Sequence, residues 1–487
     1  MRRLHALSAL ALGALAACSS AGNDTAGEDG QLGEASSAIV TDCDYLNPTI
    51  PTPALAFPVD FDRELVIRHL GVVEDPCRTT LTPTVPCAPG TVGIYTFVRL
   101  MEQMAGTVPV QAFIADFLHS FEVPNTVNGF PVPARPGVRP ALIDKWLLAS
   151  GCAIGDPIVG PGACPLDMLK APFRLLAIVN RVDIADWTVS PPVRAGEARF
   201  VFGITDVNTG APLPATVILE YKLPNQRGGA PYTNVDWANA WHALSDPALG
   251  PIGSPAYNAT LQNILGGIVP PGSQPGNPNF GAAIGQVRVN EIAFGPPPDW
   301  KLREYNLKPT GAGFNAFRLR LDPLNNTPDD SMNHAGALDT FLFNNSLANL
   351  STNLRDFLFS PPPGLLGGVS TASAPPFVWD HSVPATLAPI ERHHFAFATC
   401  NGCHTGETNT GFTHISPRIT GAVAGLSPFL GVSPAGTGVD GFPAARQIVT
   451  DPTGHTFEYN EPHRRRCEVT AILKGAPLPY TRDNGAH

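Results

Sequence analysis

Charge is scarce in this chain. Only 15% of its 487 residues are Asp, Glu, Lys or Arg, the net charge is -10, and no basic stripe runs through it. Nothing is therefore available to neutralise a phosphate backbone, and no nucleic-acid partner is expected. Familiar catalytic signatures are missing as well: there is no G-x-S-x-G, no H-E-x-x-H and no P-loop. Methionine, a common axial ligand of electron carriers, does not occur after Met332. Proline and glycine are abundant instead, at 52 and 47 residues, well above the roughly 12% combined share of average chains. Long ordered loops are the expected consequence.

The N-terminus reads as an export signal. Arg2 and Arg3 precede an apolar run from Leu4 to Leu15, which is too short to span a bilayer. Leu15-Ala16-Ala17-Cys18 follows and resembles the lipobox of bacterial lipoproteins. That resemblance implies cleavage after residue 17 and acylation of Cys18, hence a membrane partner through the N-terminal lipid. Ser19 and Ser20 lack the aspartate that marks inner-membrane retention in some bacteria, which favours the outer membrane. Residues 18–40, rich in Gly, Ala and Ser and without a basic residue after the cysteine, read as a flexible tether with a reach on the order of 25 Å.

Nine cysteines sort by position. Beyond Cys18, Cys400 and Cys403, six remain, and in an oxidising compartment they are expected to pair. Short separations favour Cys77 with Cys87 and Cys152 with Cys164, each closing a Pro/Gly-rich loop. Elimination leaves Cys43 with Cys467.

Hydrophobic periodicity divides the body, residues 41–375, into helices and strands. Phe97, Leu100, Met101 and Met104 recur at helical spacing, as do Phe113, Ile114, Phe117, Leu118 and Phe121, and Arg139 to Ala149 continues the pattern. Further helices are expected after Asn234 and Ser254, taken as caps, and from Ala337 to Leu358. Strands are expected at Phe173–Val179, Arg199–Thr205, Thr216–Leu223, Gln286–Phe294, Trp300–Leu307 and Phe317–Leu321. The pattern predicts an α+β fold: an antiparallel-rich sheet with packed helices, followed by a mostly irregular or helical segment over 376–487. Polar residues in the strand region, Asn180, Arg181, Asp183, Glu220, Asn290, Glu291, Arg303 and Glu304, share no recognised catalytic spacing. The outward face of a half-buried sheet is their expected place.

The chemistry concentrates in Cys400-Asn401-Gly402-Cys403-His404. Composition alone predicts roughly 0.004 such C-x-x-C-H pentads in the chain. Two thiols three positions apart suit thioether bonds to the two vinyl groups of one haem, with the next imidazole beneath the iron. The same atoms admit a zinc clasp, completed by His404 or His414 with His463 or Cys467, or a local disulfide. Eight of thirteen histidines lie in the last 107 residues, which adds weight to a metal or haem role. The pentad resembles the haem site of c-type cytochromes. The resemblance implies covalent haem c on Cys400 and Cys403, His404 as proximal ligand, and single-electron transfer with a redox partner protein that no spacing identifies. With methionine absent, His414 is the preferred sixth ligand, ahead of His455 and His394, and Arg418 or Arg464 to Arg466 are candidates for pairing with propionates. The stretches Thr399–Thr408, Phe412–Arg418 and Leu426–Leu430 also look like the tail of uncharacterised bacterial exported proteins, from which no activity follows.

Overall fold

Six alternating apolar runs become six long strands of one sheet. The computed structural model describes residues 55–184, 195–273, 283–295, 299–310, 315–344, 361–372, 379–380, 389–431 and 447–475. The expected signal and tether with Cys18, and also Cys43, His381, His487 and residues 345–358 of the expected helix, lie outside them. The sheet contains β1 (Val66–Ile67), β2 (Phe173–Arg181), β3 (Glu197–Thr205), β4 (Pro212–Lys222), β5 (Ile284–Glu291), β6 (Trp300–Pro309) and β7 (Phe317–Leu321), in that spatial order. All neighbours are antiparallel. The far edge of β6 is shared: β7 pairs its C-terminal half, and β8 (Ser370–Ala372) pairs Trp300 to Leu302. The α+β fold with a large antiparallel sheet is thus present as the periodicity predicts.

Because side chains alternate along a strand, the register assigns each residue to a face. Ile178, Phe200, Leu219 and Val287 follow one another across β2 to β5 on the first face. Helices α1 (Phe97–Ala105) and α2 (Val110–Glu122) cover that face. Phe97 stacks on Phe173 at 3.8 Å and meets Phe202 edge-on, while Phe117 and Phe121 approach Tyr305. Helix α3 (Asp144–Ala149) continues a wider helical turn from Arg139 and buries Trp146 against Phe173. The β4–β5 connection holds α4 (Asn234–His242) and α5 (Pro255–Leu265). Ser254 caps α5 as expected. The cap of α4 is Thr233 rather than Asn234, since Thr233 and Asp236 exchange side-chain-to-backbone bonds in a capping box.

The second face carries Val179, Arg199, Val201, Ile218, Glu220, Arg288, Asn290, Leu302 and Glu304, again in register. This face was expected to meet water, and it does not. Glu220, Arg288, Asn290 and Glu304 are all buried, as are Asn180, Arg181, Asp183, Glu291 and Arg303. The C-terminal segment lies over the second face, and its Ile415, Phe429, Leu430, Val469 and Ile472 join the main hydrophobic core. Local alternation cannot reveal a cover supplied by residues more than a hundred positions away. The charges beneath it persist by pairing: Arg288 meets Glu304 at 3.1 Å and Glu220 at 3.4 Å, and Arg181 meets Asp183 at 2.9 Å.

Helix α6 (Gly336–Asn344) closes the body and packs with Trp379 and Phe395 in a separate cluster; the covering segment comprises α7 (Pro389–Phe397), α8 (Cys400–His404), a hairpin of Gln447–Thr450 with Thr456–Tyr459, and α9 (Glu461–Leu473). Between them the chain is irregular, in keeping with its proline and glycine. Disulfides join Cys77 to Cys87 and Cys152 to Cys164, the two expected pairs. Cys467 is also disulfide-bonded, whereas Cys43, its expected partner, lies outside the described residues. No helix among the described residues is long and apolar enough to cross a membrane.

Candidate functional site

The C-x-x-C-H pentad forms its own short helix, α8, and every one of its residues is buried. Thr399 caps it, accepting from the Gly402 N–H at 3.2 Å while its hydroxyl donates to the Ala396 carbonyl at 2.6 Å. Gly402 is obligatory here for close approach: a Cβ at that position would lie 1.8 Å from the Ala396 oxygen. The Cys400 N–H donates to the Thr327 hydroxyl at 2.8 Å, and Trp379 Nε1 donates to Asn401 Oδ1 at 2.7 Å. The pentad is therefore tied to the body through Thr327 and to its own segment through Trp379.

Cys400 and Cys403 are free thiols, not joined to each other. Burial pushes Cys400 up to about 11 and Cys403 up to about 12, so both are protonated at neutral pH. Cys400 packs among Trp300, Leu302 and Phe412. Cys403 Sγ lies 3.4 Å from His414 Nε2.

His404 is held by residues from three parts of the chain. Its Nδ1 lies 2.8 Å from the Phe412 carbonyl oxygen. A carbonyl can only accept, so Nδ1 carries the proton and Nε2 the lone pair. The same carbonyl accepts from Asn290 Nδ2 at 2.7 Å, and Asn290 Oδ1 in turn accepts from Trp300 Nε1. Trp300 stacks on both His404 and Phe412, at 5.6 and 6.0 Å. Burial lowers the His404 pKa to about 4, which keeps the ring neutral. His414 is likewise held well below its ordinary value by burial and by His404. Its Nδ1 contacts the Ser427 hydroxyl at 3.0 Å.

His404 and His414 line one wall of a narrow cavity of about 60 Å³ whose floor is the second face of the sheet. Val201, Ile218, Leu302, Ile415, Phe429 and Leu430 make the lining mainly apolar. Arg199, Arg288 and Arg465 introduce charge at its margin, with Glu220 and Asn290 beside them. Of the arginines expected to serve anionic groups, only Arg465 lines this cavity. Arg418 is engaged elsewhere, in an ion pair with Glu74 and a 3.0 Å bond to the Leu175 carbonyl. His455 sits in the turn beyond Asp451, its N–H donating to that carboxylate.

The two imidazoles are close neighbours, 4.5 Å between centroids and tilted by 53°. Metal–imidazole bonds of about 2 Å put two trans rings on one metal about 6 Å apart. His414 therefore completes a bis-histidine site only if the segment carrying it moves outward from His404. Among the described residues, the trios of His, Cys, Asp or Glu ligand atoms within 4.8 Å of one another are Cys152, Asp156 and Cys164, the cysteines being a disulfide, and His393, Glu407 and Asp451. Neither trio includes Cys400, Cys403, His404 or His414.

Two features of this site escape sequence reading. Asn290 and Trp300 were marked only as strand positions, and no local pattern signals that they brace a histidine over a hundred residues away. Arg392, Glu407 and Asp451, which form an ion cluster beside α8, carried no signal at all. Comparison with known proteins adds no relative: no family model, no curated protein and no solved structure matches this chain.

Proposed function

We propose that this chain binds one haem c through Cys400 and Cys403, with His404 as proximal ligand, and passes single electrons as an exported, lipid-anchored protein of the bacterial envelope. One observation carries the reading: two unjoined thiols precede, in one buried helix, a neutral imidazole whose lone pair is fixed on Nε2, and this imidazole lines a mainly apolar cavity that neither sulfur lines. The donor set fits the group. Thioether formation needs reduced sulfur, axial ligation needs an unprotonated nitrogen, and both are present. A zinc clasp gains no comparable support, because among the described residues no three ligand atoms within 4.8 Å of one another include any of the six candidate donors. The width of the cavity is a further condition. At about 60 Å³ it is smaller than a typical cofactor site of roughly 300–1,000 Å³, so occupancy requires the His404–Leu430 segment to separate from the sheet.

When bound, the haem supplies one-electron redox chemistry. The chain orients His404 through Phe412, stiffens its ring against Trp300, and excludes water with Ile218, Leu302 and Phe429. Export, acylation at Cys18 and placement in the outer membrane rest on the N-terminal lipobox. The redox partner is taken to be another envelope protein. A direct test is expression in a host that attaches haem covalently. The expected product is red, shows a sharp reduced α-band, and retains haem on denaturing electrophoresis. A colourless protein with stoichiometric zinc, or one with Cys400 and Cys403 disulfide-linked, would overturn the proposal.

The hydrogen-bond chain behind His404 makes a second outcome specific. Asn290 and His404 share one carbonyl acceptor. Removing Asn290 leaves that carbonyl to His404 alone, strengthening the bond from Nδ1 and the electron donation from Nε2. Asn290→Leu is expected to lower the midpoint potential by about 30–60 mV, a three- to tenfold change for one electron. Redox titration of the purified protein measures it, and an unchanged or raised potential counts against this role.

A further inference from the structure

A second, larger cavity lies away from the pentad. It measures about 410 Å³, within the roughly 300–1,000 Å³ of small-molecule sites. Its walls come from the turn after Val73, the loop closed by Cys77–Cys87, strands β2 and β3, and Thr420 of the C-terminal segment. Threonines are concentrated there: Thr79, Thr80, Thr96, Thr205 and Thr420 all line it, with the Thr79 and Thr96 hydroxyls donating to the Asp75 and Gly93 carbonyls. Phe173, partly exposed, offers an apolar surface.

Arg174 provides the charge. One of its terminal nitrogens is fixed by backbone carbonyls, at 2.6 Å to Arg418 and 3.5 Å to Gly210. Among the described residues no carboxylate pairs with it. Glu74, the acidic residue of the same cavity, is already bound by the Arg418 guanidinium and by the Gly421 N–H at 2.9 Å. Two guanidiniums therefore face one carboxylate, and the local potential is positive. Partial burial and the nearby charge of Arg418 lower the Arg174 pKa, and the charge of Glu74 offsets this only in part.

A pre-positioned guanidinium that makes no direct ion pair with a described residue, in a concave site, recognises carboxylate or phosphate oxygens. Threonine hydroxyls recognise ligand hydroxyls, and an aromatic face receives the C–H side of a ring. We propose that this cavity binds a small anionic sugar derivative, a sugar acid or sugar phosphate, with its acidic group on Arg174. The site is independent of the haem proposal.

Calorimetry on the whole protein with D-glucuronate, D-glucose 6-phosphate and D-glucose tests it. At least one anion should bind, with the neutral sugar at least tenfold weaker, and the tighter anion identifies the acidic group. Arg174→Met should weaken that anion at least tenfold while its melting curve stays cooperative. Thr205→Val, which keeps the strand's shape, should weaken it severalfold and guards against a folding defect in the arginine variant. No binding of either anion up to about 10 mM, equal affinity for D-glucose, or undiminished binding by both variants would overturn the inference.

Discussion

Arg392→Met should lower the free energy of unfolding by about 3–5 kcal/mol, the largest effect expected of a single substitution here. Arg392 reaches both oxygens of Glu407 at 2.9 Å and also pairs with Asp451. All three are buried. His393 Nδ1 approaches Glu407 at 2.5 Å and its ring stacks on Phe457 at 3.5 Å. In the wild type burial lowers the His393 pKa, and the charge of Arg392 adds to this. Removing the guanidinium therefore leaves two carboxylates in a poorly solvated place with His393 alone to offset them. Chemical denaturation of wild type and variant measures the loss. Adding Glu407→Gln to Arg392→Met should recover part of it, because one stranded charge is then gone. A loss below 1 kcal/mol, or no recovery in the double variant, would show that the cluster does not hold α7, α8 and the 447–459 hairpin together as described.

A comparable effect is expected from pH at Asp330. This side chain accepts from the Thr371 hydroxyl and from Asn401 Nδ2 at 3.3 Å, so it touches the pentad helix directly. Burial, with the charge of Asp329 adding to it, raises its pKa to about 6. The folded state thus holds the proton more tightly than the unfolded chain, whose ordinary aspartate value is 3.8. The sign follows: the stabilisation is complete below about pH 4 and is lost as pH rises through about 6, after which the penalty is constant. Asp330→Asn mimics the protonated form. Relative to wild type it should gain stability between pH 4 and 6 and keep a lead on the order of 2–3 kcal/mol at pH 8. Unfolding curves at pH 4.5 and 8 read the difference. A gap that does not widen with pH would refute the raised value.

Much of the architecture was legible before any coordinates. The strand at Phe173–Val179 follows from a continuous apolar run, and the later ones chiefly from apolar alternation, because a pleated chain writes its two faces into every second residue. The disulfides Cys77–Cys87 and Cys152–Cys164 follow from short loops. The pentad was equally plain, since its chemistry depends on spacing within five residues.

What the sequence by itself determined was therefore local: strand and helix periods, short-range crosslinks, and the C-x-x-C-H spacing of Cys400, Cys403 and His404. Tertiary structure alone decided that the polar face of the sheet is buried under the C-terminal segment, that Asn290 and Trp300 brace His404, that His414 lies beside it at 4.5 Å, and that no carboxylate among the described residues forms an ion pair with Arg174. Each of these depends on contacts between residues from tens to hundreds of positions apart, and such contacts are selected by packing and charge compensation over the whole fold rather than by any repeat along the chain.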